Sequence, residues 1–511
     1  MTTISMTSNV SIPLPPNSTP QLTDANVDST IASLEAQITE LETTEAHLLP
    51  AVRKLEICQK SLEQARASLA HVRSRKMHVS RLPDDVLALI FEAGPIPDLY
   101  CDYYLEKKPK KLPFSILVSH VSRIWREVAI RNPFLWTSIH IISSKPHDLY
   151  LMYMNRSKSC SLDMRYTCHT DRISDFDPSI LQLQRCRHLT ISSYWYCSTF
   201  HICQRLEKEA IPRLVSFTME MEYANDGYED DFPSQCYELF GGGAPVLSSV
   251  QLCGISLRSF KLPISALTDL TLDTFELATE MTFGEFFDAL ADIAPTLITL
   301  QLEGIVLRVR SGEHCCPINF PSLTSLVIRF SDYLNDEYDD RHFIPELWDC
   351  INVPALESLT LSIMDEDQFH TSMDSLRRQH MTSTTKGGLK SLHLFDINID
   401  GYADDLTLAC LNLSNLTLTE RATVPVLKFI LEADRQRLTA PSNNTHTRLL
   451  WPNLHTLSVV SFQDDILRAV VLGRKALGLP LVELYMECSA GTRSWYCQHV
   501  ETVGPFLWPT T

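Results

Sequence analysis

The sequence predicts a mixed α/β chain in three parts: an N-terminal coiled-coil-like helix, a small all-α module, and a curved solenoid of short repeated strands. Three observations predict it. Leucines recur every seven residues from Leu34 to Leu69. Six consecutive apolar residues, Val86 to Phe91, follow the helix-starting triplet Pro83-Asp84-Asp85. A short phrase, apolar-x-x-Leu-x-apolar, then returns ten times between Leu214 and Met486.

Residues 1–28 are rich in Ser, Thr, Asn and Pro and offer too little apolar surface to offset chain entropy, so a disordered tail is expected there. The heptad segment is assigned to 29–78. Ile31, Ile38 and Val52 stand beside the leucines as the companion position of a heptad seam. Pro50 lies inside it, and a proline in a helix interior costs about 3 kcal/mol, which predicts a kink or two shorter helices. A zipper transcription factor needs a basic arm just ahead of the leucines, yet residues 1–30 contain no Lys or Arg. Self-association in parallel and packing of the helix on its own protein both remain open.

The next part spans 79–142. Proline is tolerated at a helix start and two carboxylates complement the helix dipole, so a helix begins at Pro83-Asp84-Asp85. Its apolar residues cover every side, and such a helix must be buried on every side. A short module covers one face only; the other face predicts a partner. After a loop from Glu92 to Ser115 a second helix is expected from near Ile116, with Val118, Val121, Ile124, Trp125 and Val128 on one stripe. Asn132-Pro133 ends it, and an extended segment follows from Ser138 to Ile142.

These residues carry a resemblance. Leu82 to Phe91, then Val118-Ser119-His120-Val121-Ser122-Arg123-Ile124-Trp125-Arg126, then Pro133-Phe134-Leu135-Trp136, resemble an F-box of fungal type, with Asp85 for the usual Glu and Ser122 for the usual Cys. The resemblance implies docking on the Skp adaptor of a cullin–RING (SCF-type) ubiquitin ligase. The adaptor-binding residues it implies are Leu82, Pro83, Val86, Leu87, Ile90, Phe91, Val118, Val121 and Trp125. Replacing Leu87 and Ile90 by Asp is expected to abolish that docking while the repeat domain stays folded.

The remainder, 143–511, holds the repeated phrase, as in Leu323-Thr324-Ser325-Leu326-Val327-Ile328 and Leu356-Glu357-Ser358-Leu359-Thr360-Leu361. Successive first leucines are 20 to 41 residues apart. A fixed phrase with variable spacing resembles the irregular leucine-rich repeats that follow F-boxes, in which the inner Leu-x-Leu is a strand with alternate side chains inward. Each unit leaves its apolar face open until a neighbour stacks on it. Helical stretches are expected at Phe283 to Ile293 and Val424 to Leu438.

Charge narrows the partners. The chain has 44 Lys and Arg against 62 Asp and Glu, a net −18. All of that imbalance lies beyond residue 140, where 29 basic residues meet 47 acidic ones. Such a surface repels phosphate backbones, so no nucleic acid is expected as partner, and a basic protein target is favoured. No apolar stretch approaches the roughly 18 residues of a membrane span and no secretory signal is visible, so a soluble cytoplasmic or nuclear protein is expected, with no membrane partner.

No chemistry-bearing motif emerges. There is no G-x-S-x-G elbow, no phosphate-binding G-x-x-x-x-G-K-[ST] loop and no H-E-x-x-H pair. The vicinal Cys315-Cys316 after His314 lacks further ligands at zinc spacing. The thiols are expected to be reduced and mostly buried. Glu229-Asp230-Asp231 and Asp336 to Asp340 lack the oxygen spacing of a calcium loop. Gly241-Gly242-Gly243 reads as a flexible connection ahead of Leu247. No enzyme, cofactor or metal is expected. The sequence leaves two functions: a ligase substrate receptor that grips an unknown protein target, or an interaction scaffold outside a ligase. Co-purification of Skp adaptor and cullin separates the two.

Overall fold

The computed structural model describes residues 24–76, 82–94, 112–142, 148–168, 181–194, 196–221, 237–255, 257, 260–261, 266–273, 282–304, 316–330, 343–382, 388–399, 406–407, 409–439 and 449–506. The Ser/Pro-rich residues 1–23, most of the loop after Glu92, His314-Cys315 and the acidic stretches at 229–231 and 336–340 lie outside them. The fold is mixed α/β, with a long N-terminal helix and a large parallel sheet. The chain falls into two units, Met1–Leu87 and Ala88–Thr511.

Helix α1 runs unbroken from Asp24–Lys76 with Pro50 inside it. This corrects two expectations. The helix starts at Asp24, ahead of residue 29. It also continues through Pro50 instead of splitting. The proline deletes one backbone hydrogen bond, and the long flanking turns propagate past that single loss. Threonines within it return their hydroxyls to the backbone, as Thr39 Oγ1 does to the Glu35 carbonyl at 2.7 Å.

Helix α2 is Asp84–Glu92, with both acids in its first turn and the Leu87 amide donating to the Pro83 carbonyl at 3.0 Å. Beyond the loop, the single second helix expected from the stripe is two: α3, Phe114–Val121, and α4, Arg123–Arg131. Ser122 separates them in an extended conformation (φ −155°, ψ 172°), and its hydroxyl accepts from the Trp125 amide at 3.2 Å. The apolar spacing runs on across this break, so periodicity alone cannot show it. Asn132 then ends α4 as expected. Its carboxamide nitrogen donates to Glu92 Oε1 at 2.7 Å, and its oxygen accepts from the Phe134 amide.

Trp136 joins this helical segment to the sheet. It is fully buried, its indole N–H donates to the Ala129 carbonyl at 2.8 Å, and Tyr153 meets it edge-on at 5.0 Å. The Arg156 guanidinium lies 4.3 Å above the ring, and the Tyr153 hydroxyl bonds Ser115 Oγ at 2.6 Å.

The sheet has fourteen described strands, all parallel, and each pairs with the next of the set along the chain. Its first strand is Ser138–Ile142, the segment expected to close the helical module, and its last is Thr502–Gly504. All ten copies of the phrase fall on strands, from Ser216–Met221 to Glu483–Met486. They also fall in register. Leu326 pairs with Leu359, Leu359 with Leu392, Leu392 with Leu416, and Leu416 with Leu457, so one column of buried leucines crosses the sheet. A second column runs through Leu302, Ile328, Leu361, Leu394 and Leu418. Alternate residues of a strand share a face, so both columns point to one side.

Helices cover that side. Phe283–Ala291 and Thr423–Thr439 lie where helical stretches were expected, and Phe343–Cys350, Glu366–Thr382 and Asp464–Ala476 fill further intervals. One continuous apolar core runs from Trp136 to Val500. Two glycines of the triplet approach other backbone closely: a Cβ on Gly241 would stand 2.7 Å from the Glu207 carbonyl, and one on Gly242 2.8 Å from Ala210. Only a residue without a side chain lets the two backbones approach this closely.

Candidate functional site

Helix α2 is divided lengthwise. Leu87 and Phe91, four residues apart and therefore on one face, are buried. Leu89 and Ile90 on the other side are 64% and 47% exposed. Phe91 packs its ring 4.9 Å from that of Trp125, and a Cβ on Gly94 would collide with the Phe114 ring. These contacts hold the C-terminal end of α2 on the helices that follow.

The sequence-expected docking residues separate accordingly. Ile90, Val121 and Pro83 are exposed; Leu82, Val86 and Trp125 are half-buried. Leu87, Phe91 and Val118, also expected to meet the adaptor, are buried. Charging Leu87 would therefore damage folding first. The exposed large apolar residues of this segment that sequence reasoning did not assign are Leu89, Leu112, Leu117, Ile124, Ile130 and Phe134. The break at Ser122 resets the helical phase between Leu117 and Ile124, so one stripe drawn through both helices does not describe their faces.

The second candidate surface is the polar side of the sheet. Strand alternation puts Thr218, Gln251, Thr271 and Gln301 in one register row across it. The flanking row, nearer the strand C-termini, reads Glu220, Cys253, Asp273, Glu303 and Arg329. Glu220 accepts from Ser192 Oγ at 2.7 Å and meets Arg165 at 3.5 Å. Glu303 pairs with Arg329 at 3.1 Å. Asp273 sits between Cys253 and Glu303. Burial first, and then the Glu303 carboxylate, push its carboxyl up to about 7, against the opposing pull of Arg329. Further along, His393 Nδ1 lies 2.8 Å from Thr417 Oγ1, and burial lowers its imidazole to about 4.

Burial raises the thiols of Cys186 and Cys410 to about 12, and Cys253 likewise, with Asp273 and Glu220 adding to it. Among the described residues no three His, Cys, Asp or Glu side chains gather as a metal ion requires. Also among them, no helix is long and apolar enough to cross a membrane.

No protein-family model matches the chain, and no curated protein matches it.

Proposed function

We propose that this chain is the substrate-recognition subunit of a cullin–RING ubiquitin ligase, acting in the cytoplasm or nucleus. The helical segment from Leu82 to Trp136 is its F-box and docks on the Skp adaptor, and through it on cullin. The strands form a leucine-rich-repeat solenoid whose polar side binds the target protein. One observation carries the reading: α2 leaves Leu89 and Ile90 uncovered although its other side is already buried. A solvent-facing pair of large apolar residues, backed by a packed core, fits the groove of a second polypeptide.

The solenoid reading is supported by strand order. Each strand bonds only to its neighbours of the set along the chain, and the leucine columns keep one register throughout. The excess of acidic over basic residues beyond residue 140 favours a basic target surface. No residue of the chain performs chemistry in this scheme. Its contribution is proximity, which raises the effective concentration of a target lysine near the charged ubiquitin carrier.

The test is affinity capture of the full chain with mass spectrometry, wild type beside a Leu89→Asp/Ile90→Asp variant. Wild type is expected to bring down Skp adaptor and cullin. The variant should lose both while its circular dichroism and melting temperature stay unchanged, because neither side chain is in the core. Capture of other proteins without adaptor or cullin would instead indicate a scaffold outside a ligase.

A further inference from the structure

We infer that helix α1 is an antiparallel dimerisation element that joins two copies of this chain. From Ile31 to Leu69 the seam side chains Ile31, Leu34, Ile38, Leu41, Leu62 and Leu69 are between 48% and 68% exposed. An apolar seam of that length, sustained over five heptads, is what a coiled-coil partner covers.

Charge selects the partner and its direction. Residues 24–49 carry six acidic side chains and no Lys or Arg, whereas residues 50–76 carry seven basic and two acidic. Matching the helix dipole accounts for charges in the first and last turns only; here the polarity fills both halves. A second copy laid head to tail sets the acidic half against the basic half. A parallel copy sets like against like along the whole length.

The seam agrees. Ile31, Ile38, Glu45, Val52, Gln59 and Arg66 occupy one heptad position, with the leucines three residues on. Parallel, in-register pairing stacks Glu45 on Glu45 and Arg66 on Arg66. Antiparallel pairing centred near Pro50 sets Ile31 against Leu69, Ile38 against Leu62 and Val52 against Leu48. It also sets Glu45 against Leu55 and Arg66 against Leu34, so no seam charge meets its own kind. Glu35 and Glu42 then face Glu63 and Glu56 of the second copy along one flank, with Lys60 and Arg53 one turn from those glutamates to offset the repulsion. Pro50 falls on the outer side, away from the seam.

The inference stands apart from the adaptor proposal, since it is read on the full chain with no adaptor present. Light scattering on the eluting protein at micromolar concentration is expected to give twice the chain mass, and Leu41→Asp/Leu62→Asp the single mass. Orientation is read at Cys58, an exposed thiol of α1. In the antiparallel pair the two Cys58 residues stand about 24 Å apart at 1.5 Å per residue. Thr44→Cys then places a thiol beside Cys58 of the second copy. Within one helix these two positions are about 21 Å apart, beyond a short bismaleimide. Peptide mass spectrometry of the crosslinked variant should find 44–58 links. A monomer at every concentration, a dimer that survives the Asp substitutions, or a 58–58 link would each overturn the inference.

Discussion

At the residue scale, two buried or half-buried charges set the sharpest expectations. Asp273 titrates near 7 in the folded chain and near 3.8 when unfolded. Between those values the folded state binds more protons, so stability falls as pH rises from about 4 to about 7 and stays at its lower level above that. Asp273→Asn should flatten this part of the profile. Urea midpoints at pH 4.5 and pH 8 measure it, with the variant stabilised relative to wild type at pH 8 and little changed at pH 4.5. Arg474 is the other case. Its side chain is fully buried and donates to the Leu450 carbonyl at 3.0 Å and the Trp451 carbonyl at 2.7 Å, with Asp434 at 3.9 Å. Burial raises the Asp434 carboxyl to about 6 despite that cation. Arg474→Met strands two carbonyls and a buried carboxylate, and should cost about 3–5 kcal/mol in chemical denaturation.

At the scale of elements, the break between α3 and α4 depends on Ser122. Its hydroxyl is the only side-chain cap described for α4, so Ser122→Ala should cost about 1 kcal/mol, read as a lower thermal midpoint. Leu87 and Leu89 make a matched pair. Leu87→Ala should cost about 2–5 kcal/mol as a core truncation, while Leu89→Ala should leave the melting temperature in place. This pair also marks where sequence reading stops. Six apolar residues in a row state that both faces of α2 need cover, but not which face its own chain supplies. The repeats were far more legible. A leucine phrase fixes both a strand and its register, and each of the ten phrases lies on a strand. Leu162–Cys168 escaped because no leucine phrase leads into it, although alternate residues such as Leu162, Met164 and Tyr166 are buried, whereas Cys186–Ser193 carries the phrase with a cysteine in the first place, Cys186-x-x-Leu189-x-Ile191. The continuity of α1 through Pro50 escaped for a different reason: a local penalty was weighed without the length of helix on either side.

For the whole molecule, a sheet in which each strand bonds only to sequence neighbours loses protection from its open end inward. Hydrogen exchange followed by mass spectrometry should find Thr502–Gly504 the fastest of the described strands and those around Ser358–Ser362 and Ser391–Phe395 among the slowest. The opposite end is guarded, because Trp136, Tyr153 and Arg156 clamp the helical segment beside Ser138–Ile142. That clamp has a further consequence. Parallel strands are spaced about 4.8 Å apart, so positions on the sheet are graduated from Trp136 onward, and Glu303, six strands along, stands about 29 Å from the first strand. Gaining or losing one strand moves everything beyond it by one fixed increment and leaves every surface side chain as it was. The reach of the molecule can thus be retuned separately from what it grips.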